Sequence, residues 1–180
     1  MAEIKSAIEL AMERTKGLVM DEKEKEKSLI QDAENRLKAM VRRFLDGAGD
    51  ADDFRHQYDK VELAEGTKRS LLVDIVVNGF DVGADVKLFD LLHVADRNLD
   101  SRLKKALDVL QRQFSEMLEK KSGGVRKNIL NRLKKMGIAG SAVEPNLAAW
   151  DEWGEAVTET KQAFSGRLQQ WKDEVKAVTA

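Results

Sequence analysis

The chain has 180 residues, 42% hydrophobic, 35% charged and 6% aromatic, with one proline and no cysteine. Its 31 basic and 32 acidic residues leave a formal net charge of -1, on a charged fraction well above the roughly 25% of an average soluble domain. Disulfides, thiolate metal sites and thiol nucleophiles are thereby excluded, and so is overall electrostatic steering toward nucleic acid or an anionic membrane.

The opening Met1 to Lys5 lacks the apolar stretch of a signal peptide. Nowhere does an uncharged run exceed the eight residues Met136 to Val143, against the roughly 20 that a bilayer requires. A cytoplasmic protein without a transmembrane segment is therefore expected. Low proline, bunched glycines and long runs of Glu, Lys, Leu and Ala predict an all-α fold.

The first helix is expected over 3–16, with Ile4, Ile8, Ala11 and Thr15 on one face, followed by an apolar hinge at Leu18, Val19 and Met20. A second covers 21–46. Its first turns carry only Glu, Lys and Asp, which can pair three apart but have nothing to bury. From Leu29 an apolar stripe begins: Ile30, Ala33, Leu37, Val41, Phe44. Residues 1–28 could thus project as an arm from a single domain spanning 1–180. Gly47 to Asp50 is a turn, and Asp50 or Asp52 can cap the helix bearing Phe54, Tyr58 and Val61. Gly66-Thr67 is placed as a break before Leu71 to Val77, which is apolar nearly all round. Without any visible partner strand, this run reads as a central buried helix rather than a strand.

From Leu88 to Met117 one spacing occurs three times: Leu88, Leu92, Ala95; Leu99, Leu103, Ala106; Leu110, Phe114, Met117. A period of about 3.67 residues per turn keeps such a stripe on one side of a nearly straight helix. One helix over about 84–121 is expected, roughly 55 Å long at the standard rise, with Ser122-Gly123-Gly124 turning the chain back. A short basic helix, 125–136, closes at Gly137 in a Schellman-type ending. Pro145 then opens a last long helix, about 145–178, striped by Trp150, Trp153, Val157, Thr160, Phe164, Leu168, Trp171, Val175 and Val178. The two long helices should pack antiparallel in an elongated helical bundle.

Four groups of residues could carry chemistry. Asp53-x-x-His56 and Asp90-x-x-His93 contain the only two histidines. A carboxylate and an imidazole three apart share a helix face, as in di-iron bundles. Both pairs, however, fall opposite the apolar stripes, so solvated surface is the stronger reading and no metal or cofactor is assigned. Asp46, Asp50, Asp52 and Asp53 lack the ligand spacing of a calcium loop and read as a capped turn. Around 125–136, Arg126, Lys127, Arg132, Lys134 and Lys135 lie opposite Val125, Ile129 and Leu133, a basic amphipathic pattern that could meet a polyanion. It lacks interleaved aromatics, and a solvated face against the long helices is preferred. Trp150, Trp153, Phe164 and Trp171 are candidates for a partner interface, since tryptophan is enriched there. No phosphate-binding loop, dinucleotide fingerprint, nucleophile elbow or zinc-protease motif occurs, and no catalytic residue is named.

Glu3 to Thr15 and Gly140 to Leu147 resemble short stretches of an uncharacterised family of bacterial all-helical proteins. The resemblance implies a bacterial cytoplasmic setting and no activity. The expectation is a non-enzymatic interaction or assembly protein that associates with itself or with another helical protein. The alternatives are a metal-binding bundle or enzyme built on the Asp-x-x-His pairs, and a polyanion binder using the basic helix.

Overall fold

The computed structural model describes residue 8 and residues 22–83, 87–97, 99–140 and 142–179. Among these, the chain forms six long or short α-helices and no strand: α1 (Glu22–Leu45), α2 (Ala51–Asp59), α3 (Glu65–Gly79), α4 (Leu88–Ala95), α5 (Ser101–Lys135) and α6 (Asp151–Thr179), with a 3-10 turn at Leu147–Ala149. The expected helix over 3–16 and the hinge after it lie outside the described residues, apart from the helical, exposed Ile8. The fold divides into two compact units, 1–71 and 72–180.

In the first unit, α1 behaves as its charge pattern dictates. Its opening turns are exposed, and burial starts at Ala33 and continues through Leu37, Met40 and Val41. The helix ends at Gly47, whose φ of 73° lets Ala48 N–H reach Arg43 O at 2.9 Å and Gly47 N–H reach Phe44 O at 3.1 Å. This paired 6→1 and 5→2 closure satisfies carbonyls that the helix end would otherwise orphan. Asp50 then caps α2, accepting from Asp52 N and Asp53 N at 3.0 and 2.8 Å, and Asp53 reaches back to Asp50 N. Phe54 meets Phe44 edge-on at 6.3 Å. The break before α3 falls at 60–64, not at Gly66-Thr67, because Val61 turns inward at 4% exposure while Glu65 already opens the next helix. Lys68 is buried by α3, its Nζ 2.6 Å from Glu65 and 4.7 Å above the Tyr58 ring. Burial, helped by the Glu65 charge, pushes the Tyr58 hydroxyl up to about 12.

The second unit is built on α5 and α6. Residues 71–77 are helical, and Leu72, Val73, Val76 and Val77 are all buried, as a run apolar on every side requires. α6 runs antiparallel to α5: Leu103 pairs with Trp171, Phe114 with Phe164, Lys121 with Glu159 and Arg132 with Glu152. At the first of these levels Trp171 Nε1–H donates to Leu103 O at 2.8 Å, and the indole meets Phe80 edge-on at 4.9 Å. The loop after α3 is held by Gln111, which accepts from Gly83 N at 2.6 Å and donates to Asp81 O at 3.1 Å. Asp81 also pairs with Lys161, which holds its carboxyl below the usual range.

The boundaries of the long helix differ from the sequence expectation of 84–121 in two ways. α4 stops at Ala95 and α5 begins at Ser101, because Asp96 and Asp100 bring short polar side chains of the kind that compete for backbone groups. Asp100 uses its carboxylate to cap α5, accepting from Arg102 N at 2.8 Å. With the eleven-residue register interrupted there, α5 buries Leu103, Leu107, Leu110 and Phe114, while Ala106 and Met117 are exposed. At the other end α5 passes straight through Ser122-Gly123-Gly124 to Lys135, so no separate helix 125–136 exists. Two helical glycines cost about 1 kcal/mol each relative to alanine. Burying Ile129, at 1% exposure, offsets that with about 2–3 kcal/mol, and Ser122 Oγ–H ties back to Glu119 O at 2.7 Å. α5 ends at Gly137, φ 82°, with Ile138 N–H to Leu133 O at 3.0 Å and Gly137 N–H to Lys134 O at 3.1 Å. This is the Schellman ending that the sequence predicts. α6 starts at Asp151, later than Pro145, because Trp150 is extended between the 3-10 turn and the helix.

Candidate interaction surface

The two halves of the α5–α6 hairpin differ in how completely they are covered. Near Leu103 and Trp171 the pair is buried together with Phe80, Val82, Leu88 and Phe89. From Leu118 onward α5 buries only Ile129 fully, while Val125, Leu130 and Leu133 are half-buried. Opposite them on α6, Ala156 and Thr160 are buried, but Trp150, Trp153 and Val157 are only half-buried. Met136 at 66% and Ile138 at 47% exposure lie at the same end. Of the second unit's exposed large apolar side chains, Met136 and Ile138 lie in this distal half, residues 118–160, while Val109, Met117 and Val178 lie outside it. What sets the distal half apart is its run of half-buried apolar residues, among them Trp150 and Trp153.

Of the four aromatic candidates, Phe164 and Trp171 are 4% exposed and serve the hairpin's own core, so they are not available to a partner. The spacing of a helix stripe cannot distinguish a face turned to its own hairpin from one turned outward. Trp150 and Trp153 do remain accessible. They line a shallow, open groove with Asp151, Gly154, Glu155 and Glu159. No neighbour lies within 4 Å of a Cβ added at Gly154, so nothing crowds the groove there. Arg132 edges this region, 5.7 Å above the Trp150 ring and 2.9 Å from Glu152.

The basic candidates divide as well. Arg126 pairs with Glu144 at 3.1 Å and Arg132 with Glu152 at 2.9 Å, which neutralises two of the five locally. Lys127, Lys134 and Lys135 are exposed on α5 and make no ion pair among the described residues. Lys120, Lys127 and Lys134 recur every seven residues and are all exposed, so they form a ridge along the outside of α5. Across the hairpin, Lys121 donates to Glu159 at 2.8 Å, a hydrogen bond that lowers the Glu159 carboxyl pKa. Glu159 nevertheless keeps 71% of its side chain exposed. The acidic residues of the groove, Asp151, Glu155 and Glu159, were not singled out in the sequence. Their pairing with the tryptophans was missed because the sequence reading treated Trp150 and Trp153 as part of a single stripe with Phe164 and Trp171.

The two Asp-x-x-His pairs fall in different units. Asp53 and His56 are exposed in the first unit, and Asp53 is engaged in the α2 cap. In the second unit Asp90 is exposed, and His93 packs edge-on against Phe89 at 5.4 Å. Among the described residues no group of three or more His, Cys, Asp and Glu is disposed to hold a metal ion. Elsewhere, burial holds the Lys172 ammonium below its usual pKa; nearby Asp81 opposes the shift and Lys176 adds to it.

Among the described residues no helix is long and apolar enough to cross a membrane. The chain matches no family model, no curated protein and no solved structure. What holds of the short resemblance read in the sequence is its all-helical character.

Proposed function

We propose that this chain is a non-enzymatic helical assembly protein that associates with itself through the distal half of the α5–α6 hairpin. The observation that carries the reading is the incomplete cover of that half: Trp150 and Trp153 are half-buried, and Met136 and Ile138 at the end of α5 are exposed. Partly buried tryptophans in a helix face are what an interface uses as anchors. The polar groups around them support the same reading, because they are arranged as a rim along helices rather than converging on one point as a reacting centre requires. A chain of 180 residues without cysteine suits a reducing cytoplasm, where we place it.

The test is light scattering over a concentration series. The mass per particle should rise from one chain toward two as concentration increases. A mass of one chain at every concentration would overturn the reading.

A further inference from the structure

The ridge and the groove of the distal hairpin are opposite in charge, and the Lys127–Lys134 stretch of the ridge is close in length to the groove. Lys127 and Lys134 are seven residues apart, about 10.5 Å along the helix, and Asp151 and Glu159 are eight apart, about 12 Å. The ridge is cationic and exposed throughout. The groove has three carboxylates and no Lys or Arg among its lining residues; Glu159 is already paired with Lys121, so Asp151 and Glu155 carry its open negative charge. Arg132 already lies over the Trp150 ring at 5.7 Å, so the aromatic contact for an approaching ammonium group falls to Trp153. Ridge and groove belong to the same hairpin. A surface that carries both halves of a complementary pair satisfies a two-fold axis: each copy gives its ridge to the other's groove, and the contact occurs twice.

We infer that the distal hairpin docks on a second copy of this chain, the Lys120–Lys127–Lys134 ridge of one molecule lying on the Trp150–Trp153 groove of the other. The inference rests on the self-association proposed above and specifies where and how it occurs. The occupant is a second copy, and not an unrelated basic helix, because the ridge already supplies the charge, spacing and helical form that the groove accepts. The apolar part of the contact comes from the half-buried indoles. The charges fix which face is chosen and suppress other pairings.

Charge exchange tests it. One variant combines Lys127→Glu with Lys134→Glu, and the other combines Asp151→Lys with Glu155→Lys. None of these four side chains forms an ion pair among the described residues, and helix content by circular dichroism checks that each variant folds. Alone, each variant should associate at least about tenfold more weakly than wild type, since two like-charged contacts face each other in every dimer. Mixed in equal amounts, they should form a heterodimer near wild-type strength, one contact being native and the other reversed on both sides. If wild type associates and both variants associate equally well, the ridge-and-groove contact is wrong while self-association stands. Weakening in both variants without recovery in the mixture also overturns it. A wild-type chain that stays single at all concentrations overturns the self-association itself.

Discussion

Replacing Gly123 and Gly124 with alanine should stabilise the protein, and replacing Gly137 should do the opposite. The first two lie inside α5 with ordinary helical backbone, and a Cβ built on either meets nothing within 4 Å. Alanine there removes unfolded-state freedom and protects the backbone, worth about 0.5–1 kcal/mol per site. The double variant should therefore gain about 1–2 kcal/mol, a rise in melting temperature of roughly 2–8 °C for a chain of this size. Adding Gly154→Ala and Gly166→Ala, equally unobstructed in α6, should bring the gain to about 2–4 kcal/mol. Gly137 is different. It also has nothing within 4 Å, but its φ is 82°, and a side chain there is strained whatever the space. Gly137→Ala should lose about 1 kcal/mol or more. Urea denaturation followed by circular dichroism measures all of these. If Gly124→Ala destabilised the protein as Gly137→Ala does, the chain would turn at Ser122–Gly124 as the sequence alone reads. α5 would then end before Ile129.

Three further expectations follow from named contacts. Trp171→Phe keeps an aromatic ring but removes the indole donor to Leu103 O, and should cost about 1–2 kcal/mol by denaturation; an unchanged stability would show that this bond contributes nothing. Asp81 is held below its usual pKa by Lys161, so its share of stability is present above the unfolded carboxyl value near 4 and is lost as pH falls through the folded value. Asp81→Asn should therefore be less stable than wild type at neutral pH, by at most about 1 kcal/mol for so exposed a pair, and the difference should close in acid; a gap that persists at low pH would refute the pairing. Salt-titrated binding to duplex DNA, RNA and anionic vesicles should show no more than nonspecific affinity, because Arg126 and Arg132 are already paired with Glu144 and Glu152. Saturable, salt-sensitive submicromolar binding would establish the basic end of α5 as a polyanion site.

Much of the helical framework was legible because burial follows a 3.6-residue period. The exposed start and buried stripe of α1, the Asp50 cap, the helical reading of 71–77 and the antiparallel long pair all come from local patterning. Four boundaries were not: the break before α3, the start of α6 and two in the long helix, of which the last two are the most instructive. An eleven-residue repeat across Leu88 to Met117 looks continuous in sequence, yet the helix stops after Ala95 and restarts on the Asp100 cap, which no apolar period reports. Conversely, Gly123-Gly124 has the composition of a turn, but the helix is carried through it and buries Ile129 beyond it, a tertiary gain that local composition does not report. The candidate surface was half legible for the same reason. Four aromatics on one stripe look equivalent until the partner helix is in place, and only then do Phe164 and Trp171 become core while Trp150 and Trp153 remain open.

Amide hydrogen exchange at two protein concentrations tests most directly where copies of this chain meet. Association slows the local openings through which helical amides exchange. On concentration, protection should increase in segments covering 120–135 and 148–160, with little change over 101–110 or 51–59. Protection that is independent of concentration, or an increase confined to the first unit, would contradict assembly through the distal hairpin.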